Sequence, residues 1–304
     1  MQKNKDILPL QGLLNGIGQV YFTPSVITSL LLLFAISIES LSLAFLTLFG
    51  ASCSYGFALL TNKPSHDIEN GMYALNGALI ALFIGNFFEV NGWLILVVAL
   101  GSLITVPIAK IVFRFKVYRG YTSAFVLVSW LIYLIYATFN FAIFDASSTS
   151  SSLVTVAITK SDLNDWFQPP STVIPFLKGI SQVSFINNEL SGLVMLLAVA
   201  FNNAKHAMWV VTAVVIGTLF SNVIGVPNEY LEQGLYGYNA VLVTLALVLY
   251  QRITWPLIIV GILCTCLVTL GFHTLSLLPL TAPFIISAWG IVYLSRWINR
   301  RFSS

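Results

Sequence analysis

IENGMYALNGALIAL, from Ile68 to Leu82, returns as LEQGLYGYNAVLVTL from Leu231 to Leu245. Six of the fifteen positions are identical, among them Glu69/Glu232, Gly71/Gly234, Tyr73/Tyr236 and Asn76/Asn239, at an offset of 163 residues. A second pair, NGIGQVYF (Asn15–Phe22) and KGISQVSF (Lys178–Phe185), shares five of eight positions at the same offset. Two separated blocks with one common shift make the chain a duplicated unit, and a repeat constrains the fold before any local reading does.

Apolar residues make up 58% of the 304 residues and charged residues 8%, against about 25% charged residues in a soluble domain. The charges lie between long apolar runs, which is the pattern of a polytopic membrane protein with little mass outside the bilayer. Met1–Asp6 is polar, with no short apolar core and small-residue cleavage site behind it, so no signal peptide is expected. Cys53, Cys264 and Cys266 all sit inside apolar runs and suggest neither a disulfide framework nor a metal pair.

The apolar runs are Pro24–Ile38, Ser40–Leu60, Gly71–Phe88, Gly92–Phe113 and Tyr121–Phe141, then Glu189–Phe201, Ala207–Val226, Gly234–Tyr250, Trp255–Phe272 and Leu275–Trp297. The expected divisions are a first repeat over 1–144, an extramembrane linker over 145–172 rich in Ser, Thr and Pro, and a second repeat over 173–304. Five spans per copy is an odd number, so the second copy must enter the membrane from the opposite side. The fold expected is all-α and polytopic: two inverted repeats of five transmembrane helices. Placing both termini in the cytoplasm puts every Lys and Arg except Lys160 and Lys178 inside, and puts Glu39, Glu89, Asp145, Asp162, Asp165, Glu229 and Glu232 outside. That satisfies the positive-inside rule and makes the net charge of +3 a matter of topology, with no call for nucleic acid.

Inverted repeats build their site near the midplane from interrupted helices. Three interruptions are legible. The short segments carrying Gln19 and Gln182 hold too few apolar residues to span and should dip in and return, as re-entrant half-helices. Asn76 and Asn239 open the third and eighth spans. In LPLTAPF (Leu278–Phe284), Thr281 is placed to cap a helix with Pro283 in its first turn; Thr122, Phe125 and Trp130 match Thr281, Phe284 and Trp289 at an offset of 159. None of these residues is charged. His66 and His206 fall in inside loops and His273 at an outside turn, and no acidic pair lies within the spans. A coupled pump generally needs an ionisable residue in the membrane, so the lining predicts passive passage of something small, polar and neutral. Glu69 and Glu232 are expected at helix starts, Tyr73 and Tyr236 in packing, and Gly71 and Gly234 at close helix approaches.

These segments resemble the urea transporter family. The QVxF segments at Gln19–Phe22 and Gln182–Phe185 are similar to its paired pore-helix motifs. YALNGALIAL and YGYNAVLVTL are similar to its third-span motifs, and LPLTAPF to its LPxxTxPF-type motif. The segments stand in family order in both halves. Two positions depart from the pattern: Leu75 stands where an aromatic is common, while Tyr238 keeps one, and Gly120 and Ala124 replace the prolines around Thr122.

The resemblance implies ten spans plus two re-entrant half-helices per protomer, a homotrimer with one pore per protomer, urea as the solute and no cofactor. It implies a slot whose oxygens come from Gln19, Gln182, Thr122 and Thr281 and whose flat walls are Phe22, Phe185, Leu75, Leu79, Tyr238 and Leu242. Urea is planar and uncharged, with four N–H donors and a carbonyl, and would lose several kcal/mol in an apolar pore if those groups went unpaired. A row of acceptor oxygens would replace water stepwise, while flat apolar walls exclude hydrated ions. The rivals are a water or glycerol channel, whose paired Asn-Pro-Ala half-helices are absent, and an ammonia channel, for which no pore histidine is placed. An intramembrane enzyme would need a motif such as HExxH or GxSxG, and neither occurs. The expected location is a plasma membrane, the bacterial inner membrane, with the lipid bilayer as partner.

Overall fold

The computed structural model describes residues 9–88, 91–114, 119–139, 167–251 and 253–302. The Ser147–Ser152 run, Lys160 and the linker acids lie outside the described residues, as do Glu89, Lys116 and Arg252. Within them the chain is helical. The first half comprises α1 (Pro9–Gly18), a 3-10 turn (Gln19–Tyr21), α2 (Val26–Glu39), α3 (Leu41–Leu60), α4 (Ser65–Glu69), α5 (Met72–Phe87), α6 (Gly92–Val112) and α7 (Ser123–Phe139). The second half repeats the order: α8 (Ile174–Ser181), a 3-10 turn (Gln182–Ser184), α9 (Glu189–Asn202), α10 (Ala204–Val223), α11 (Asn228–Glu232), α12 (Gly237–Val248), α13 (Trp255–Thr274) and α14 (Ala282–Phe302).

The repetition extends to the bounds of several helices and to backbone angles. The bounds of α2, α3 and α4 recur in α9, α10 and α11 at an offset of 163, and the first residues of α7 and α14 are 159 apart. Left-handed backbone recurs as well. Phe22 (φ 57°) matches Phe185 (φ 59°), Gly71 matches Gly234 (both φ 73°), and Tyr121 (φ 45°) matches Leu280 (φ 44°). The change of offset from 163 to 159 before α7 and α14 is the reason the threonine motifs align less obviously than the rest.

Among the described residues four helices, α3, α6, α10 and α13, are long and apolar enough to cross a membrane. The count reaches six if each bent pair is one span: the chain turns by 66° between Leu10–Tyr21 and Val26–Glu39, and by 71° between Ile174–Ser184 and Glu189–Asn202. The helices α5, α7 and α12 are apolar but shorter, and α14 carries Arg296, Arg300 and Arg301 at its end. The two sharp bends fall where the sequence predicts re-entrant segments.

Glycine contacts seat these segments. A β-carbon on Gly71 would lie 2.1 Å from the backbone nitrogen of Gly16, and one on Gly234 2.3 Å from that of Gly179. The tip of α1 therefore presses directly on the α4–α5 junction, and α8 on the α11–α12 junction, with no side chain between. Asn15 Nδ2 donates to Glu69 O at 2.9 Å across the first of these contacts.

The halves meet through reciprocal contacts. Thr28 Oγ1 of α2 donates to Ala198 O of α9 at 3.4 Å, and Ser191 Oγ of α9 donates to Ala35 O of α2 at 2.8 Å. Thr28 and Ser191 are repeat equivalents, as are Ala35 and Ala198. The index rises along α2 as it falls along α9, so these equivalent helices run antiparallel. The same exchange occurs between α7 and α14: Trp130 Nε1 donates to Leu278 O at 2.9 Å, and Trp289 Nε1 to Arg119 O at 3.0 Å.

Some local expectations need correction. Glu69 and Glu232 end the five-residue helices α4 and α11; they do not start helices, because the left-handed glycine two residues later breaks the chain there. Lys205 and His206 are not in a loop. Asn203 caps α10, its side chain accepting from both their backbone N–H groups, so the helix begins three residues before the apolar run. His273 belongs to the last turn of α13.

Candidate functional site

The two threonines singled out in the sequence come together. Thr122 Oγ1 and Thr281 Oγ1 lie 2.8 Å apart, and either can donate. Each precedes the first residue of its helix, and the backbone carbonyl of each accepts a bond from inside that helix, Val126 N to Thr122 O and Ile285 N to Thr281 O. Pro283 is in the first turn of α14, as its sequence position implies. The hydroxyls do not cap their own helices; they bond to one another. Both are buried, Thr122 at 5% exposure and Thr281 at 1%.

The phenylalanines one turn into the two threonine-led helices, Phe125 and Phe284, are met by rings that cross between halves. Phe22 of the first 3-10 segment meets Phe284 of α14 edge-on at 6.3 Å between ring centres, and Tyr121 at 6.0 Å. Its equivalent Phe185 meets Phe125 of α7 at 5.7 Å and Phe83 of α5 at 6.1 Å. Phe125 and Phe284 are themselves equivalents. Each dipping segment thus sets its aromatic ring against the other half's last helix. The left-handed backbone at Phe22 and Phe185 is what turns each ring off the end of its 3-10 turn. A bulky residue adopts that conformation only when its surroundings hold it there.

Asparagines hold the helix starts beside the threonines. Asn76 Oδ1 accepts from Phe125 N at 3.0 Å, so α5 supplies the N-terminal cap that Thr122 does not, while Asn76 Nδ2 donates to Met72 O. Asn239 is oriented differently: its Nδ2 donates to Leu280 O at 3.1 Å, and Tyr238 Oη donates to the same carbonyl. Leu75, the equivalent of Tyr238, has no hydroxyl to do this. Tyr238 therefore presents a ring whose polar end is already engaged. Leu75, Leu79 and Leu242 are buried on α5 and α12 at 2–4% exposure.

The glutamines differ. Gln19 Nε2 donates to Asn70 O at 3.1 Å, which fixes its amide and leaves Oε1 unengaged among the described residues. Gln182 is half-buried, and its amide has no hydrogen-bond partner among the described residues. Both stand at the first position of their 3-10 turns. Among the described residues the buried polar groups come from Ser, Thr, Asn and Tyr side chains and the Cys266 thiol, with no charged side chain, and no group of three or more His, Cys, Asp or Glu could hold a metal.

Sequence reasoning missed Tyr121, which joins Phe22 and Phe284 at 6.0 and 5.5 Å and bonds Tyr250 Oη at 3.2 Å. It also missed Asn86, whose Nδ2 donates to Phe185 O, and Leu280. Tyr121 and Leu280 share no side-chain chemistry; their equivalence is in the backbone, which no motif shows.

The model of the urea transporter family matches residues 10–172 and again residues 173–304. The chain belongs to the urea transporter family. It is similar to "Urea transporter 1" of Mus musculus, 28% identical over 140 residues, which is 44% of this chain and 33% of that relative. The same protein of Ovis aries is 27% identical over 140 residues, with the same coverage of each chain. That of Rattus norvegicus is 30% identical over 91 residues, 29% of this chain and 24% of the relative. The chain spans about a third or less of the length of the curated relatives it matches.

Proposed function

We propose that this chain is a channel-like passive transporter of urea, with one narrow, uncharged pore per protomer. The observation that carries the reading is the Thr122–Thr281 hydroxyl pair where the two halves meet, flanked by Phe22, Phe284, Phe125 and Phe185 with no charged group among them. Four phenyl edges form a flat apolar sleeve. The hydroxyls and the Gln19 and Gln182 carbonyls supply acceptors to a planar amide leaving water. A hydrated cation finds no carboxylate to replace its shell and is rejected.

The two halves form an inverted repeat of five spans each, with the linker of 145–172 outside the bilayer. The antiparallel, reciprocal bonding of α2 with α9 and of α7 with α14 supports this, because contacts that exchange between equivalents are what a two-fold axis produces. Both termini face the cytoplasm of a plasma membrane, from the distribution of Lys and Arg, and the assembly is a homotrimer as the family implies. The names of the relatives and the family match support urea as solute.

The test is stopped-flow light scattering on reconstituted proteoliposomes with urea, water, glycerol and ammonium in parallel. Urea flux well above protein-free vesicles and above glycerol flux supports the proposal. Fast water or glycerol flux without urea flux assigns the slot to another neutral solute.

A further inference from the structure

One face of α14 changes character along its length. Ala282, Ile285, Ile286 and Trp289 line a crevice of about 500 Å³ between α14 and α7, whose other wall is Val126, Leu127 and Trp130. The next turns of the same face, from Val292 through Arg296 to Asn299 and Arg300, line a second cavity of about 630 Å³ with Tyr250 and Gln251. The crevice surface is apolar, since Ser123, the polar residue in its lining, donates its hydroxyl to Gly120 O. Both tryptophans that border it have donated their N–H inward, to Leu278 O and Arg119 O, and so offer it only ring surface. Among the described residues of its lining the second cavity has Arg296 and Arg300 and no acidic side chain.

Arg119 touches the lining of both cavities: its carbonyl accepts from Trp289 of the crevice, and its guanidinium lies 5.2 Å from the ring centre of Tyr250 in the basic cavity. The third cation therefore points to the same end as Arg296 and Arg300. From Ile285 to Arg296 the helix rises about 16 Å. Half of a hydrocarbon core is about 15 Å thick, so the apolar-to-basic gradient has the length of one lipid leaflet.

We propose that α14 and α7 form a binding site for one anionic phospholipid per protomer, with an acyl chain in the crevice and the phosphate among Arg119, Arg296 and Arg300. The occupant is a phospholipid and not a soluble phosphate because the α14 face that carries Arg296 and Arg300 runs on, toward the helix start, into the crevice wall, where exposed Leu127 and Ile286 are surface that only a hydrocarbon chain would cover. A basic pocket between membrane helices at the cytoplasmic side selects anionic headgroups at about 1 kcal/mol per cation, which is about fivefold in binding.

The test is native mass spectrometry of the delipidated full chain in detergent, given equimolar phosphatidylglycerol and phosphatidylcholine with the same acyl chains. The wild-type protein should retain phosphatidylglycerol preferentially, one per protomer. Arg300→Gln should lower that preference about fivefold. Leu127→Trp, which fills the crevice, should lose both lipids, while Leu134→Trp, a similarly exposed site on α7 outside the crevice, should retain them. Equal retention of the two lipids by the wild type, an unchanged preference in Arg300→Gln, or full retention in Leu127→Trp would each overturn the site. The readout is lipid mass and not solute flux, so the outcome is independent of which solute the pore passes.

Discussion

Removing the hydroxyls of Thr122 and Thr281, singly by valine and together as Thr122→Val with Thr281→Ala, separates a structural hydrogen bond from a pore function, because the two roles predict opposite patterns. The hydroxyls are 2.8 Å apart and at most 5% exposed. Either single variant leaves the other hydroxyl buried without its partner, at a cost of about 1–3 kcal/mol. The double variant removes both partners and, because alanine vacates the space that a second methyl at 2.8 Å could not share, is close to neutral. Stability should therefore fall in each single variant and recover in the double. Urea flux should follow the other order. If each hydroxyl lowers the barrier by about 1 kcal/mol when it meets the solute, each loss slows passage about fivefold and both together about 25-fold. Thermal unfolding of the purified variants reads the first pattern, and stopped-flow urea flux in proteoliposomes reads the second. A folded double variant with wild-type flux would refute the claim that these oxygens serve the solute. Equal stability in all four proteins would refute the hydrogen bond itself.

Five more outcomes follow from the geometry. Gly71→Ala should destabilise the chain by about 2–4 kcal/mol, from the left-handed backbone and the clash with Gly16. Gly56→Ala in the same half, where a β-carbon meets nothing within 4 Å, should be neutral or better by thermal unfolding. Asn76→Ala should cost about 1–2 kcal/mol because Phe125 N loses its cap, and should slow urea by loosening Thr122; a stable variant with unchanged flux would count against that positioning role. Tyr238→Phe keeps the ring and loses the bond to Leu280 O, so stability should drop by about 1 kcal/mol while urea flux stays within about twofold. Single cysteines at the equivalent exposed positions Ser65 and Asn228, in a background without native cysteines, should react with impermeant thiol reagents from opposite sides of the membrane; labelling of both from one side would end the inverted-repeat reading.

What the sequence showed of this fold was whatever side chains encode. The repeats QVYF/QVSF and the pair of Asn-bearing spans were visible because duplication preserved Gln, Phe and Asn at one spacing, and the bends at Phe22 and Phe185 fall where those segments are too polar to span. Charge distribution carried the topology argument for the same reason. Three kinds of feature were less legible. Helix ends set by a single polar residue, such as Asn203 drawing His206 into α10, shift boundaries without changing hydropathy. Backbone equivalence, as at Tyr121 and Leu280, leaves no common residue type to find. Partner choice is invisible as well: Thr281 is spaced as a helix cap, yet its hydroxyl bonds Thr122, and Asn76 from α5 caps α7 instead.

If two opposed halves enclose a neutral passage, urea crosses it down its own gradient and nothing else drives it. Urea permeability of proteoliposomes with and without an imposed proton gradient decides this. Urea should equilibrate much faster than in protein-free vesicles and at the same rate whether the gradient is present, reversed or collapsed. Flux indistinguishable from protein-free vesicles, or flux that follows the proton gradient, would contradict it.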